Sequence, residues 1–159
     1  MPHKLEYVEH HKAHAAAGAY TSPYNSACVI VAAAIGEFDT ISIWDYTAPN
    51  KLKRLKTYQY PHSLGLLYSA FTQRVGLKAN EEEYILMGMA AYGEPKYAKD
   101  IEQHFFDSKD PLKLTQNVHA GIEDWMPHVP MVDEQFKYDV AASIPVSYTH
   151  LRAHETSLH

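Results

Sequence analysis

Only one cysteine, Cys28, occurs among the 159 residues, and it sits inside an apolar run. No disulfide framework can be built from it, so the sequence reads as that of a cytoplasmic protein kept in a reducing compartment. Long apolar stretches are also missing. Nothing approaches the roughly 18 residues of a membrane span, and no signal peptide precedes Pro2-His3-Lys4, so no membrane role is expected. Basic excess is absent too: 14 Lys and Arg stand against 19 Asp and Glu, a net charge of −5, and an acidic chain is a poor general nucleic-acid binder. No Gly-Lys-Ser/Thr follows Gly88 or Gly93, which excludes a phosphate-cradling P-loop there.

What is present is enough for one core. Apolar residues make up 46% of the chain, and their spacing changes period in an orderly way. Glu9 to Tyr20 reads as a helix, stopped by the turn chemistry of Thr21-Ser22-Pro23-Tyr24-Asn25-Ser26. Ala27 to Ala34 is a continuous apolar run suited to a buried strand, Thr40 to Tyr46 alternates, and Leu52 to Tyr60 forms a third strand after the Ala48-Pro49-Asn50 turn. Pro61-His62-Ser63 starts a helix whose apolar stripe is Leu64, Leu67, Tyr68, Phe71 and Val75 and whose stop is Gly76. Further helices are expected from Glu81 to Met89 and from Pro95 to Phe106. Beyond Asp107 the chain reads as loop until a last helix begins at Tyr138.

The chemistry-bearing feature is His10-His11-Lys12-Ala13-His14. In a helix His10 and His14 lie one turn apart on one face, and two neutral imidazoles at that spacing can chelate one divalent ion. Solvated surface histidines can share the spacing, so the pair needs support from the rest of the chain. The small residues Ala15, Ala16, Ala17 and Gly18 let such a helix approach a sheet closely.

The end of the chain has its own signature. Val146 to Thr156 resembles, residue for residue, the in-frame translation of a transposase-type sequencing adapter. Residues 145–159 are therefore expected to be a non-native tail, with the natural chain broken near Ile144 inside its last helix. Removing that tail is expected to leave stability nearly unchanged. It takes His150, His154 and His159 out of any metal argument and leaves the net charge at −5, because Arg152 and Glu155 cancel.

Three strands in sequence followed by a helix open a ribonuclease-H-like lobe. Four blocks take the reading further: Glu9 to Ala16, Gly36 to Trp44, Tyr60 to Thr72, and Glu83 to Pro95 together resemble the NodU/CmcH family of O-carbamoyltransferases, in that family's order and spacing. The resemblance implies an α/β fold, specifically a fragment of an actin-like ATPase domain of the acetate and sugar kinase superfamily, with residues 1–144 forming the partial domain. It implies that carbamoyl phosphate and ATP give a carbamoyl-adenylate in a separate domain, after which the actin-like domain moves the carbamoyl group to the hydroxyl of a small-molecule acceptor. It also implies a divalent metal, iron or zinc, with His10 and His14 as the paired ligands. His11 matches the motif but lies elsewhere on the helix.

One departure concerns the metal. The family's first apolar strand usually carries an aspartate as a further ligand, and Ala33 occupies that position here. A methyl group cannot ligate, so weak metal affinity is expected, with Glu37 or Asp39 as the nearest carboxylates in sequence. The resemblance places His11, Glu37, Asp39, His62, Glu83, Gly88, Tyr92 and Gly93 around the nucleotide and substrate cleft. His62 equally suits a capping segment, and Glu81-Glu82-Glu83 equally suits a helix N-terminus. Lys51 to Lys56 has the charge to touch phosphate, but a basic run of this kind more often forms the solvated face of an edge strand that deters edge pairing. The family's other lobe and adenylate-forming domain lie outside these residues, so the fragment is expected to be inactive without those missing parts. A tRNA threonylcarbamoyl transferase would carry Ser-Gly-Gly where Ala34-Ile35-Gly36 stands, and a non-catalytic metal- or partner-binding domain is the other alternative.

Overall fold

A computed structural model describes residues 5–127 and 133–156, without the side chains of 150–156. The strands β1 (Ser26–Gly36), β2 (Asp39–Thr47) and β3 (Lys51–Gln59) form an antiparallel meander in the order β1-β2-β3. Helix α1 (His10–Tyr20) precedes them; α2 (Leu64–Arg74), α3 (Glu83–Met89), a 3-10 turn (Ala90–Tyr92), α4 (Ala98–Phe105) and α5 (Glu134–Thr156) follow. This agrees with the three strands and the helix order expected from the pattern, but the apolar run of β1, expected to be a buried central strand, lies at the sheet's edge with only Val31 and Gly36 buried. None of the described helices is long and apolar enough to cross a membrane.

β2 is the central strand and is covered on both faces, which is why five consecutive residues, Thr40 to Trp44, are buried. Alternation divides them. Ile41 and Ile43 join Leu67, Phe71, Phe105 and Ile144 in the main core, while Trp44 joins Ala15 and Val31 in a small second cluster under α1. The sheet is thus sandwiched between α1 on one face and the remaining helices on the other. β1 leaves its register with β2 between Ala32 and Gly36, so Ala33 to Ile35 bulge at the strand's end.

Helix α2 starts where Ser63 caps it, two residues after the expected start at Pro61. The Ser63 hydroxyl accepts from the Leu66 N–H at 3.1 Å and donates to the Ala34 carbonyl at 2.6 Å. A Cβ on Gly65 would come within 2.7 Å of the Ala34 backbone, so glycine is what lets α2 sit directly on the end of β1.

Residues 107–127 carry no regular element beyond one Phe106–Leu114 bridge, as expected. They nevertheless build the core: Leu112, Leu114, Val118, Ile122 and Trp125 are buried, and the Trp125 ring meets Phe71 edge-on at 5.2 Å. Arg74 of α2 donates to the Trp125 and Met126 carbonyls, which fastens the segment where no backbone ladder can.

Helix α5 begins four residues before the expected Tyr138 and passes through Ile144 without a break, with Pro145 inside it. Ser147 is buried and donates to the Ala98 carbonyl, and the Tyr148 hydroxyl donates to the Leu64 carbonyl at 2.9 Å. The packed body therefore extends past residue 144. Residues 157–159 of the expected tail lie outside the described residues.

Candidate metal-binding site

The His10 and His14 rings emerge from α1 on its solvent side, one turn apart, with their Nε2 atoms 3.1 Å apart. A proton on one nitrogen makes this a hydrogen bond between two imidazoles. The same separation also suits chelation. Two nitrogens each about 2.05 Å from one ion and 3.1 Å apart subtend an angle of about 98°, between octahedral and tetrahedral values. The donor set thus fits two positions of a divalent ion. Among the described residues no group of three or more His, Cys, Asp or Glu side chains converges, so the remaining positions are not supplied there.

Ala33 lines the same depression as His14, about 270 Å³ between α1 and β1, which Gly18, Val29 and Val31 also line. The position that the family pattern assigns to a carboxylate is therefore adjacent to His14 in space, and it offers a methyl. Glu37 is exposed in the β1–β2 turn, with φ at 61°. Asp39 accepts from Arg54 and from Gln59 Nε2 and is held in those contacts. Neither joins His10 and His14 in a metal-holding group.

His11 faces the opposite way and is 1% exposed. Its Nδ1 is 2.8 Å from Ser42 Oγ, which also accepts the Trp44 Nε1–H at 2.8 Å. Burial pushes the His11 imidazole below its ordinary value; Asp39 opposes this, and His10 and His14 add to the fall. The ring is neutral at pH 7. With the Ser42 proton directed to Nδ1 by that network, the hydrogen sits on Nε2, which is buried and makes no hydrogen bond of good geometry among the described residues, although the Asp39 backbone lies on that side. Gly36 closes over these rings: a Cβ there would approach His10 Cδ2 to 2.6 Å and His11 Nε2 to 2.8 Å.

The other residues expected at a cleft are engaged elsewhere. The His62 ring nitrogen accepts from the Leu114 N–H at 3.2 Å, which anchors the long loop. Glu83 accepts from Ser69 at 2.7 Å and from the Asn80 N–H at 2.5 Å. Burial alone would raise its pKa, but those hydrogen bonds prevail and hold it below the ordinary value. Gly88 faces open space, Tyr92 is 74% exposed, and Gly93 lies against the α5 backbone, where an added Cβ would be 1.9 Å from the Tyr138 carbonyl oxygen. The basic run is more engaged than a solvated edge: Arg54 pairs with Glu9 and Asp39 and stacks 4.6 Å from the Trp44 ring, and Lys56 pairs with Asp110. Sequence reasoning gave Ser42 no role of its own and met Arg54 only as one member of the basic run. The available signal was the i, i+2 placement of Ser42 and Trp44 on one face of an alternating strand.

A larger concavity, of about 590 Å³, lies across β1 among Ile30, Leu64, Tyr68 and Tyr148. Its lining is mainly apolar, and its phenols are poor acids. Burial, then the Glu83 charge, pushes Tyr68 up to about 12, and burial raises Tyr148 further. Among the described residues that line it, neither phenol is poised for proton transfer at neutral pH.

A three-stranded antiparallel sheet flanked by helices, with an exposed imidazole pair on one of them, defines this as an α/β domain. A family model of the carbamoyltransferase N-terminus matches residues 2–155, and the chain belongs to that family. Its fold is consistent with the actin-like architecture that the four sequence blocks imply. The chain is 46% identical over 105 residues to the uncharacterized protein sll1178 of Synechocystis sp., covering 66% of this chain and 17% of that protein. It is 28% identical over 109 residues to the nodulation protein NolNO of Sinorhizobium fredii, covering 69% of this chain and 16% of that one. The match thus spans about a sixth of the length of these curated relatives.

Proposed function

We propose that this chain forms part of an ATP-dependent O-carbamoyltransferase, in which a carbamoyl group from carbamoyl phosphate passes through a carbamoyl-adenylate to the hydroxyl of a small-molecule acceptor. The family match over residues 2–155 carries the reading. The convergence of His10 and His14 supports it, because it supplies two protein ligands where the family resemblance implies a metal. These two residues would hold a divalent ion, iron or zinc, which would serve as a template and Lewis acid for nucleotide phosphates. The chain's own contribution is to hold both imidazoles on a packed helix at the sheet surface, open to an incoming ligand. Neither a nucleic acid nor a membrane is required as partner.

This chain supplies one wall of a site that needs more of the parent protein, a reading supported by the lack, among the described residues, of a third His, Cys, Asp or Glu side chain converging on the histidine pair. It is expected to be inactive alone. The Ala33 methyl favours a second reading, a domain that retains metal or partner binding without catalysis. Assaying the chain beside a full-length relative for pyrophosphate release and carbamoyl transfer tests both. Transfer by the relative and none by the chain is expected. Turnover by the chain alone refutes the partial-site reading, and a full-length relative that modifies tRNA but no small hydroxyl compound refutes the acceptor class.

A further inference from the structure

The side chains that hold α1 to the sheet form a second system beneath the histidine pair. Apart from His11, the buried residues of α1 are Ala15 and Ala19. Two methyl groups make a smooth contact that does little to fix a helix's rotation. No side chain caps the N-terminus of α1, and no acidic residue lies in its first turn. His11 is the large buried anchor, and it is held at its Nδ1 by Ser42. At about 100° per residue, His10 stands ~100° to one side of His11 and His14 ~60° to the same side. Fixing His11 therefore fixes where both exposed rings stand over the sheet. Arg54 completes the arrangement by holding Glu9, the residue before the helix, while lying over the Trp44 ring whose N–H reaches Ser42.

We propose that the hydrogen-bonded line from Trp44 through Ser42 to His11, braced by Arg54, is a positioning device that sets the rotation of α1 and so places the His10–His14 pair over the Ala33 end of β1. The inference rests on the metal reading of that pair. Its subject is the relation of the pair to the sheet, since the i, i+4 spacing alone keeps the two rings together. A 20° turn of α1 would carry a group ~6 Å from its axis by about 2 Å, which is enough to take a ligand position at residue 33 out of reach of an ion held by the histidines.

The test uses the 159-residue chain with one equivalent of Cu²⁺ as the probe, reading paramagnetic broadening of the Ala33 and Val29 methyl signals and the position of the Trp44 indole N–H signal. In the native chain Ala33 should be the more strongly broadened. His11→Leu and Ser42→Ala should each restore the Ala33 signal by at least about threefold, as inverse sixth-power broadening requires for a ~2 Å displacement, and should shift the Trp44 N–H signal. His11→Asn, which keeps a polar atom near the Nδ1 position, should retain the native pattern. Unchanged Ala33 broadening in Ser42→Ala overturns the positioning role, even where His11→Leu fails to fold. Broadening that persists in a His10→Ala, His14→Ala double variant shows that copper sits elsewhere. That result defeats the metal reading and the inference with it, whereas loss in the double variant with no effect of Ser42→Ala defeats the inference alone.

Discussion

Each histidine of the His10-His11-Lys12-Ala13-His14 run has a different environment, although the three share a chemistry. His10 and His14 are exposed and face each other at 3.1 Å, while His11 is buried against Ser42. Helical geometry separates them, because one residue turns the side chain by about 100° and four bring it nearly full circle. At Ala33 the missing carboxylate becomes a measurable quantity. Ala33→Asp should tighten zinc binding by at least about tenfold, since outer-shell partners alone are worth roughly 10–100-fold and this residue would enter the first shell. Calorimetric titration of both forms checks it. An unchanged affinity would show that residue 33 does not reach the ion, and zinc binding untouched by His10→Ala would remove the pair itself from the site.

At the scale of elements, the contacts between α5 and the turn before α4 decide which glycines matter. Asp139 accepts from the Glu94 N–H at 2.9 Å, from Lys96 Nζ at 2.7 Å and from Gln135 Nε2 at 2.9 Å. Burial would raise its pKa, but these donors outweigh that and hold the carboxylate ionised. Gly93 lies in the same junction, backbone against backbone. Gly93→Ala should therefore destabilise the fold by about 3 kcal/mol or more, since a clash with a carbonyl oxygen cannot be relieved by a side-chain rotation. Gly88→Ala, in open space on α3, should be neutral or stabilise by up to about 1 kcal/mol. Urea unfolding of the two variants separates them, and equal effects would show that the α5 contact is not as close as described.

For the whole molecule, the question is where the packed body ends. Val146 to Thr156 reads as adapter sequence, which implies that deleting 145–159 costs less than about 0.5 kcal/mol. The packing implies more. Deletion removes the Tyr148–Leu64 and Ser147–Ala98 hydrogen bonds and uncovers Leu64 and Leu112. A loss of about 2 kcal/mol is expected, from one partly buried aromatic and two buried hydrogen bonds, with a fall in Tm of roughly 4–8 °C. Thermal unfolding of the shortened chain checks this, and an unchanged Tm would show that residues 145–149 do not pack on the core.

What the sequence determined by itself was local and periodic. The alternation of Thr40 to Tyr46 set the two faces of β2, the apolar stripe of α2 set its buried side, and the i, i+4 spacing paired His10 with His14. Each depends only on backbone geometry repeated over a few residues. Its four blocks also placed the chain in its family. Tertiary structure decided the long-range matters: that 107–127 fills the core without regular elements, that His62 and Glu83 hold loops, that Gly93 admits α5, and that His11 is clamped by Ser42 from 31 residues away. No periodicity encodes these, because a contact between distant residues depends on how whole elements pack, and the same polar side chain can serve a ligand, a cap or a loop until the fold brings its partner within hydrogen-bonding reach.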